Sequence, residues 1–277
     1  QLIASNGFRD DGVNRAGLVR RASMNSHDWV GAISNLEYES GNWKTSIGID
    51  LRNYTGYHYR VMNNLMGFDG YYSTGNKNSA GQIINTLVEA SPFNGTGLDG
   101  PKIDYYNVGK VGWQGLNGLV EYNNETISAV LQVGGSNQSF QRLDYFDQPN
   151  NPESDTQNQG GGYIKGGANY NIDSKQNVFF NAGVISRQPQ FGAVFPNFAN
   201  DINPDLQNEE IKSFELGYGF IGNNFKVNVN AYSTIWGNRF VQRSLSNQQG
   251  VDGSAQFKDI DVSHKGIEFE GRYRLSE

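Results

Sequence analysis

No cysteine occurs in the 277 residues, which excludes a disulfide framework and any thiolate metal site. The three histidines, His27, His58 and His264, are too few and too dispersed along the chain to announce a metal centre. Long apolar runs are also missing. No stretch approaches the ~18 consecutive apolar residues of a membrane-crossing helix, so helical spans are excluded, while a β-barrel is not. Hydrophobic residues make up 36% of the chain, a low share for a soluble domain that must fill a core. The net charge is −6 with both signs scattered, and without a basic stripe no nucleic-acid partner is expected. There is no glycine-rich phosphate loop, no His-Glu-x-x-His and no nucleophile elbow. Ser263-His264 and His27-Asp28 are neighbours only along the chain, whereas catalytic groups must meet in space. No catalytic residue, metal or cofactor is therefore expected. The opening Gln1-Leu2-Ile3 has no charged n-region or apolar h-region, so a signal peptide is not visible. A barrel reading then expects a processed chain or a fragment.

What is present is glycine (35 residues), aromatics (13%) and alternation. Phe225, Val227, Val229 and Ala231 alternate with Lys226, Asn228 and Asn230. Ile267, Phe269, Tyr273 and Leu275 share one parity, and Glu268, Glu270, Arg272 and Arg274 the other. Trp43, Thr45, Ile47, Ile49 and Leu51 oppose Lys44, Ser46, Gly48, Asp50 and Arg52. Period-2 segments bounded by turn residues read as β-strands. Nine are expected, over about 28–39, 43–60, 104–122, 125–146, 160–172, 177–187, 208–221, 225–243 and 259–275. Several exceed the ~5–6 residues usual in globular sheets.

The connections alternate short and long. Tight turns follow Glu39, Tyr122, Ile172 and Ile221, and long connections cover 61–103, 147–159, 188–207 and 244–258. Transmembrane barrels have short turns on the periplasmic side and long loops outside, and a soluble sandwich has no reason for that order. The length of 61–103 exceeds what connection needs and points to a role. Within it Ile83, Ile84, Leu87 and Val88 are spaced for a short helix over 80–90.

Charge placement agrees with a barrel. Arg or Lys on the lipid face costs ~2–4 kcal/mol at mid-membrane, and the charges of 267–275 all fall on one parity, expected to face the lumen. Trp29, Tyr38, Trp43, Tyr57, Tyr59, Tyr122, Tyr145 and Trp236 lie near strand ends, where an interfacial girdle would place them. The expected fold is all-β, a transmembrane antiparallel up-and-down β-barrel.

Several segments carry a family resemblance. Arg187-Gln188-Pro189-Gln190-Phe191, Ile202-Asn203-Pro204-Asp205-Leu206-Gln207 and Ser213-Phe214-Glu215-Leu216-Gly217 resemble the barrel of TonB-dependent receptors. So do the strand Phe225 to Phe240 and Lys265-Gly266-Ile267-Glu268-Phe269-Glu270-Gly271. Asn25 to Gly31 and Asp50 to Arg60 look like such receptors from Bacteroidota. The resemblance covers most of the chain and implies a barrel of about 22 strands with a plug in its lumen. It implies an outer-membrane protein, set in outer-membrane lipid, that imports a scarce small nutrient with energy delivered by TonB. No plug, TonB box or closing strand is recognised, so residues 1–277 are expected to be a partial barrel domain of about nine strands. An odd strand number is not that of a closed single-chain barrel. TonB would act through the absent plug region, and a surface lipoprotein is a further candidate partner of the 61–103 loop, whose Tyr71, Tyr72 and Phe93 would otherwise cover a ligand. The alternative is a barrel that binds, adheres or assists secretion without transport, because fold does not fix function. A soluble carbohydrate-binding β protein is a third reading. In haem receptors of this superfamily a ligating histidine lies between the Arg-x-Pro and Asn-Pro-x-Leu elements, and 188–202 contains none.

Ligand contacts in such receptors come from outer loops and lumen-facing residues near the rim. Strand parity nominates His58 and Arg60, and position at outer strand ends nominates Arg187, Gln188, Asn238 and Arg239. Arginine would suit an anionic ligand. The competing reading for each is an internal ion pair within the lumen.

Overall fold

A computed structural model describes residues 2–9, 14–79, 81–89, 99–148, 151–246 and 252–275. They form one 12-stranded antiparallel sheet. The long strands are β2 (Asn14–Ser40), β3 (Trp43–Asn64), β6 (Ile103–Asn123), β7 (Ile127–Asp144), β8 (Gln157–Asn171), β9 (Gln176–Arg187), β10 (Glu209–Ile221), β11 (Phe225–Ser246) and β12 (Asp252–Tyr273). Three short strands join them: β1 (Leu2–Phe8), β4 (Gly70–Ser73) and β5 (Gln82–Ile84). The sheet order β12-β11-β10-β9-β8-β7-β6-β3-β2-β1-β4-β5 is an up-and-down meander in which each long strand pairs with the next. It does not close on itself among the described residues.

Residue pairing assigns the faces. Lys44, Asp50 and Arg52 on β3 share a face with Glu121 and Trp113 on β6 and with Val130 and Gln138 on β7. The same face carries Lys165, Asn181, Glu215, Asn230 and Glu268 across β8 to β12. Its polar groups answer one another across strands: Asn181 and Asn230 donate to Glu215 at 3.0 and 2.8 Å, and Asn230 also reaches Glu268 at 3.3 Å. The opposite face presents Ile47, Ile49, Leu116, Leu131, Ile164, Phe180, Leu216, Val229 and Phe269, all exposed. An apolar band of this extent on a soluble protein would be an aggregation surface. In a barrel it is the lipid contact.

At one end the strands join through short turns. Gly41 takes φ +57° after β2. Asn124 Oδ1 accepts the N–H groups of Thr126 and Ile127 at 2.9 and 2.7 Å, and Asp173 Oδ1 those of Lys175 and Gln176 at 2.7 and 2.8 Å. The Lys175 N–H, then the Gln176 side chain, holds the Asp173 carboxyl below its ordinary range.

The other end is capped by two small cores. Val19, Met62, Tyr71, Ile84 and Ile103 pack with Leu65 and Phe68 where the β3–β6 connection folds over β2 and β3. Here the expected helix over 80–90 is replaced by β5, and residues 81 and 85–89 are irregular; Ala80 and Ala90 lie outside the described residues. Ile83 and Ile84 pair with Tyr72 and Tyr71, so tertiary pairing overrides a four-residue helical spacing too short to nucleate on its own. The expected loop 244–258 is also shortened. Residues 241–246 of β11 pair with 252–257 of β12, because the ladder of the hairpin continues past the expected strand ends. Only 247–251 remains between the strands, outside the described residues.

The candidate ligand site at the outer mouth

The second core is built by the β9–β10 connection, which carries α1 (Phe191–Val194) and a 3-10 turn at Pro196–Phe198. Val194 and Phe195 are buried against Phe140, with Phe191, Val111, Ile202 and Leu206 around them. Phe140 and Val111 pair on the polar face, so this connection folds onto the face that lines the lumen. Gly109 admits it: a Cβ there would stand 3.1 Å from the Phe191 ring. Polar contacts complete the attachment. Arg142, buried beside Asp144 at 3.0 Å, donates to Asn200 Oδ1 at 2.7 Å, and Asn203 Nδ2 donates to the Ala193 carbonyl at 3.1 Å.

Gln188 is part of the same attachment. Its amide nitrogen reaches Ser136 Oγ at 2.8 Å, the Ser136 carbonyl at 3.2 Å and the Gln159 carbonyl at 3.4 Å. It lies over Gly161, where a Cβ would collide with it. Gln188 is thus a buried anchor of the connection.

Arg187, Asn238 and Arg239 converge beside it. Glu209 Oε2 accepts the Trp236 indole N–H at 3.2 Å and pairs with Arg187 at 3.5 Å. The Trp236 ring lies 6.0 Å from the Arg187 guanidinium carbon and 4.3 Å from that of Arg239, both within cation–π range. Strict alternation would send Arg239 to the face opposite Trp236. The register shifts there instead: Trp236 pairs with Val262 and Arg239 with Ile260. A bulge that opposes two residues to one, with Asn238 at φ +56°, turns Arg239 onto the Trp236 face. Asn238 suits that backbone, since asparagine tolerates the left-handed region. Its N–H reaches Asp261 Oδ1 at 3.3 Å and its amide the Asn208 carbonyl at 3.3 Å. Arg239 Nε is buried without a hydrogen-bond partner. Glu209 thus pairs with Arg187, while Arg239 faces Trp236 without an ion-pair partner among the described residues.

The two β3 candidates have other surroundings. Arg60 donates to Asp104 at 3.0 Å and to Ser23 Oγ. Asp104 also pairs with Arg21 and accepts the Tyr71 hydroxyl at 2.8 Å. Burial, then the Asp104 hydrogen bond, pushes the Tyr71 phenol up to about 12. Arg60 is thus the internal ion pair of the competing reading, tying the β3–β6 connection to the rim. His58 donates from Nδ1 to Asn25 Oδ1 at 2.7 Å.

The aromatic girdle needs one correction. Tyr38, Trp43 and Tyr122 lie on the apolar face at the tight-turn end, with the Trp43 and Tyr122 rings 4.8 Å apart. Tyr57, Tyr59 and Tyr106 hold the same face at the other end, with Tyr145 stacked on Tyr106 at 4.6 Å. Trp29 and Trp236 are on the polar face, paired with Tyr54 and near Glu209. For Trp29 the signal was available, since it shares parity with Glu37 and Glu39.

No curated protein matches the chain in sequence. Among solved structures it resembles the copper transporter OprC (TM-score 0.66, 12% identity, covering 92% of this chain and 38% of that one). It also resembles the ferric citrate transporter FecA in its unliganded form (0.54, 10%, 94% and 34%). A third is the ferric-catecholate import receptor Fiu of E. coli K12 in its closed form (0.53, 12%, 95% and 37%). The chain spans a little over a third of each of these structures, and at such identities the likeness is one of fold. The family model described as TonB dependent receptor-like, beta-barrel, matches residues 3–276, and the chain belongs to that outer-membrane receptor family.

Proposed function

We propose that residues 1–277 form part of the barrel wall and outer mouth of a nutrient receptor, and that its ligand is a small anion. The observation that carries this reading is the Arg239 guanidinium, turned onto the polar face by a bulge, 4.3 Å from the Trp236 ring and without an ion-pair partner among the described residues. A guanidinium fork recognises carboxylates and related oxyanions by paired charge-assisted hydrogen bonds. Arg187 supplies a second cation across the same ring, paired with Glu209. The energy for import would come from TonB, through a plug filling the lumen that these strands enclose. The β3–β6 connection would cover the ligand or meet a surface lipoprotein. Ferric citrate and ferric catecholates, the cargo named for two structures of similar fold, are suitable anionic probes.

The test is ligand binding to the purified complete receptor, with ferric citrate, a ferric catecholate and a neutral ferric hydroxamate as probes. Anionic chelates should bind more tightly than the neutral one. A charged hydrogen bond contributes about 1.5–3 kcal/mol, so Arg239→Ala should weaken anion binding by about 10- to 100-fold. Equal affinity for neutral and anionic probes, or no change in Arg239→Ala, would sink the reading. Uptake in cells lacking TonB should be lost.

A further inference from the structure

Two of the three histidines dispersed along the chain meet in space. His27 on β2 pairs with Gly56, and His58 on β3 pairs with Asn25. The two imidazoles therefore occupy diagonal positions on the polar face, within reach of each other. Their ring centres are 6.2 Å apart and their planes cross at 76°.

In both rings Nδ1 is already engaged. His58 Nδ1 lies 2.7 Å from Asn25 Oδ1. An amide oxygen only accepts, so neutral His58 carries its proton on Nδ1 and presents a lone pair at Nε2. His27 Nδ1 meets the Tyr54 hydroxyl at 2.7 Å, and with that oxygen as acceptor His27 presents Nε2 in the same way. The Tyr54 ring is itself held, 4.8 Å from Trp29 and stacked on His27 at 5.6 Å. Gly56 gives it the room, because a Cβ there would stand 2.3 Å from the Tyr54 hydroxyl. Both imidazoles are thus oriented through Nδ1 while Nε2 stays open, the arrangement that outer-shell partners impose on metal-binding histidines.

The geometry points to a binding site for a divalent transition-metal ion, Cu²⁺ foremost, on Nε2 of His27 and Nε2 of His58. Imidazole suits Cu²⁺, Ni²⁺ and Zn²⁺, and Cu²⁺ heads the affinity order. With metal–nitrogen bonds of about 2.0–2.1 Å, an ion sits roughly 3 Å from each ring centre. A separation of 6.2 Å therefore fits one ion in a wide nitrogen–metal–nitrogen angle, and rotation of either ring narrows it. Among the described residues no third histidine, aspartate or glutamate completes the cluster. Water or the ion's own chelator fills the remaining positions, which suits an ion that must arrive and leave. The cations whose field reaches His58 are His27, when protonated, and Arg142, the latter paired with Asp144 at 3.0 Å.

The site is independent of anion capture at Arg239, and either reading can fail alone. The test titrates Cu²⁺, supplied alone in a weakly coordinating buffer, into the complete receptor in detergent, read by calorimetry and electron paramagnetic resonance. One ion should bind with coupling to two nitrogens. His27→Gln and His58→Gln should each lose at least tenfold in affinity, and Tyr54→Phe about tenfold as expected for an outer-shell partner. His264→Gln should bind as the wild type does. In the unmutated receptor, Cu²⁺ should protect His27 and His58 together from diethyl pyrocarbonate, read by mass spectrometry. Wild-type affinity in both histidine variants, or labelling of the pair unaffected by Cu²⁺, overturns the proposal.

Discussion

The Arg239 guanidinium carbon lies 4.3 Å from the centre of the Trp236 ring, although the two residues stand three apart in a strand, where alternation would put them on opposite faces. The bulge at Gly237 and Asn238 makes this contact, and the conformation of Asn238 maintains it. Asn238→Gly keeps the left-handed backbone open and should leave anion affinity within about threefold of wild type. Asn238→Val places a β-branched residue where φ is +56°, a strain of ~1–3 kcal/mol. It should straighten the ladder and lower anion affinity about as far as Arg239→Ala does. Binding titrations on the three variants decide the matter. Equal affinity in the valine and glycine variants would remove the bulge from the mechanism.

The β9–β10 connection should behave as a folded cap. Gln188→Ala removes three hydrogen bonds to Ser136 and Gln159 and leaves part-buried acceptors behind, at a cost of about 1–3 kcal/mol. Hydrogen exchange should rise across residues 188–208 and stay unchanged in β2 and β3. Phe195→Ala takes a buried ring from the core around Phe140, with a cost of roughly 3–5 kcal/mol. It should also expose the connection to limited proteolysis. Exchange spread evenly over the barrel in Gln188→Ala would contradict a local anchor.

The two faces predict opposite tolerance to charge. Leu131 points to the apolar face and Gln132 to the polar one. Leu131→Arg should lower barrel stability by about 2–4 kcal/mol, while Gln132→Arg should change it by less than about 1 kcal/mol. Urea unfolding of the complete receptor in lipid vesicles, followed by tryptophan fluorescence, compares them. Similar losses in both would mean that the face assignment is wrong at this point.

The strands themselves were legible because period-2 alternation is local, and the turn residues at Gly41, Asn124 and Asp173 mark where each strand reverses. Faces were legible wherever charges fixed the parity. Trp29 lies inside β2, which begins at Asn14 and not near residue 28, and it shares its side with Glu37 and Glu39. The inward turn of Arg239 could not be read from β11 alone, since a bulge is a relation between two strands and only its αL-tolerant Asn238 is visible in one. For Gln188 and Arg60, residue type does not say whether a polar side chain awaits a ligand or has found a partner. Their partners, Ser136 and Asp104, come from segments roughly 50 and 40 residues away, and contacts at that range follow from the fold.

The Tyr71 phenol gives the β3–β6 connection an alkaline limit. Burial and the Asp104 hydrogen bond favour its protonated form, raising it from 10.0 to about 12. A folded-state value above the unfolded one means that the protonated phenol contributes its full stability below about pH 10. That contribution is lost as the pH rises from about 10 to about 12. The ionised phenol would face the Asp104 carboxylate at hydrogen-bond distance, so the packing of Tyr71 with Met62 and Ile84 should loosen over this interval. Tyrosinate absorbance at 295 nm and proteolysis within 61–103 should rise together between pH 10 and 12. Tyr71→Phe retains the ring, lacks the titrating proton and should remove the proteolytic step. A step of undiminished size in that variant would assign the alkaline transition to another group.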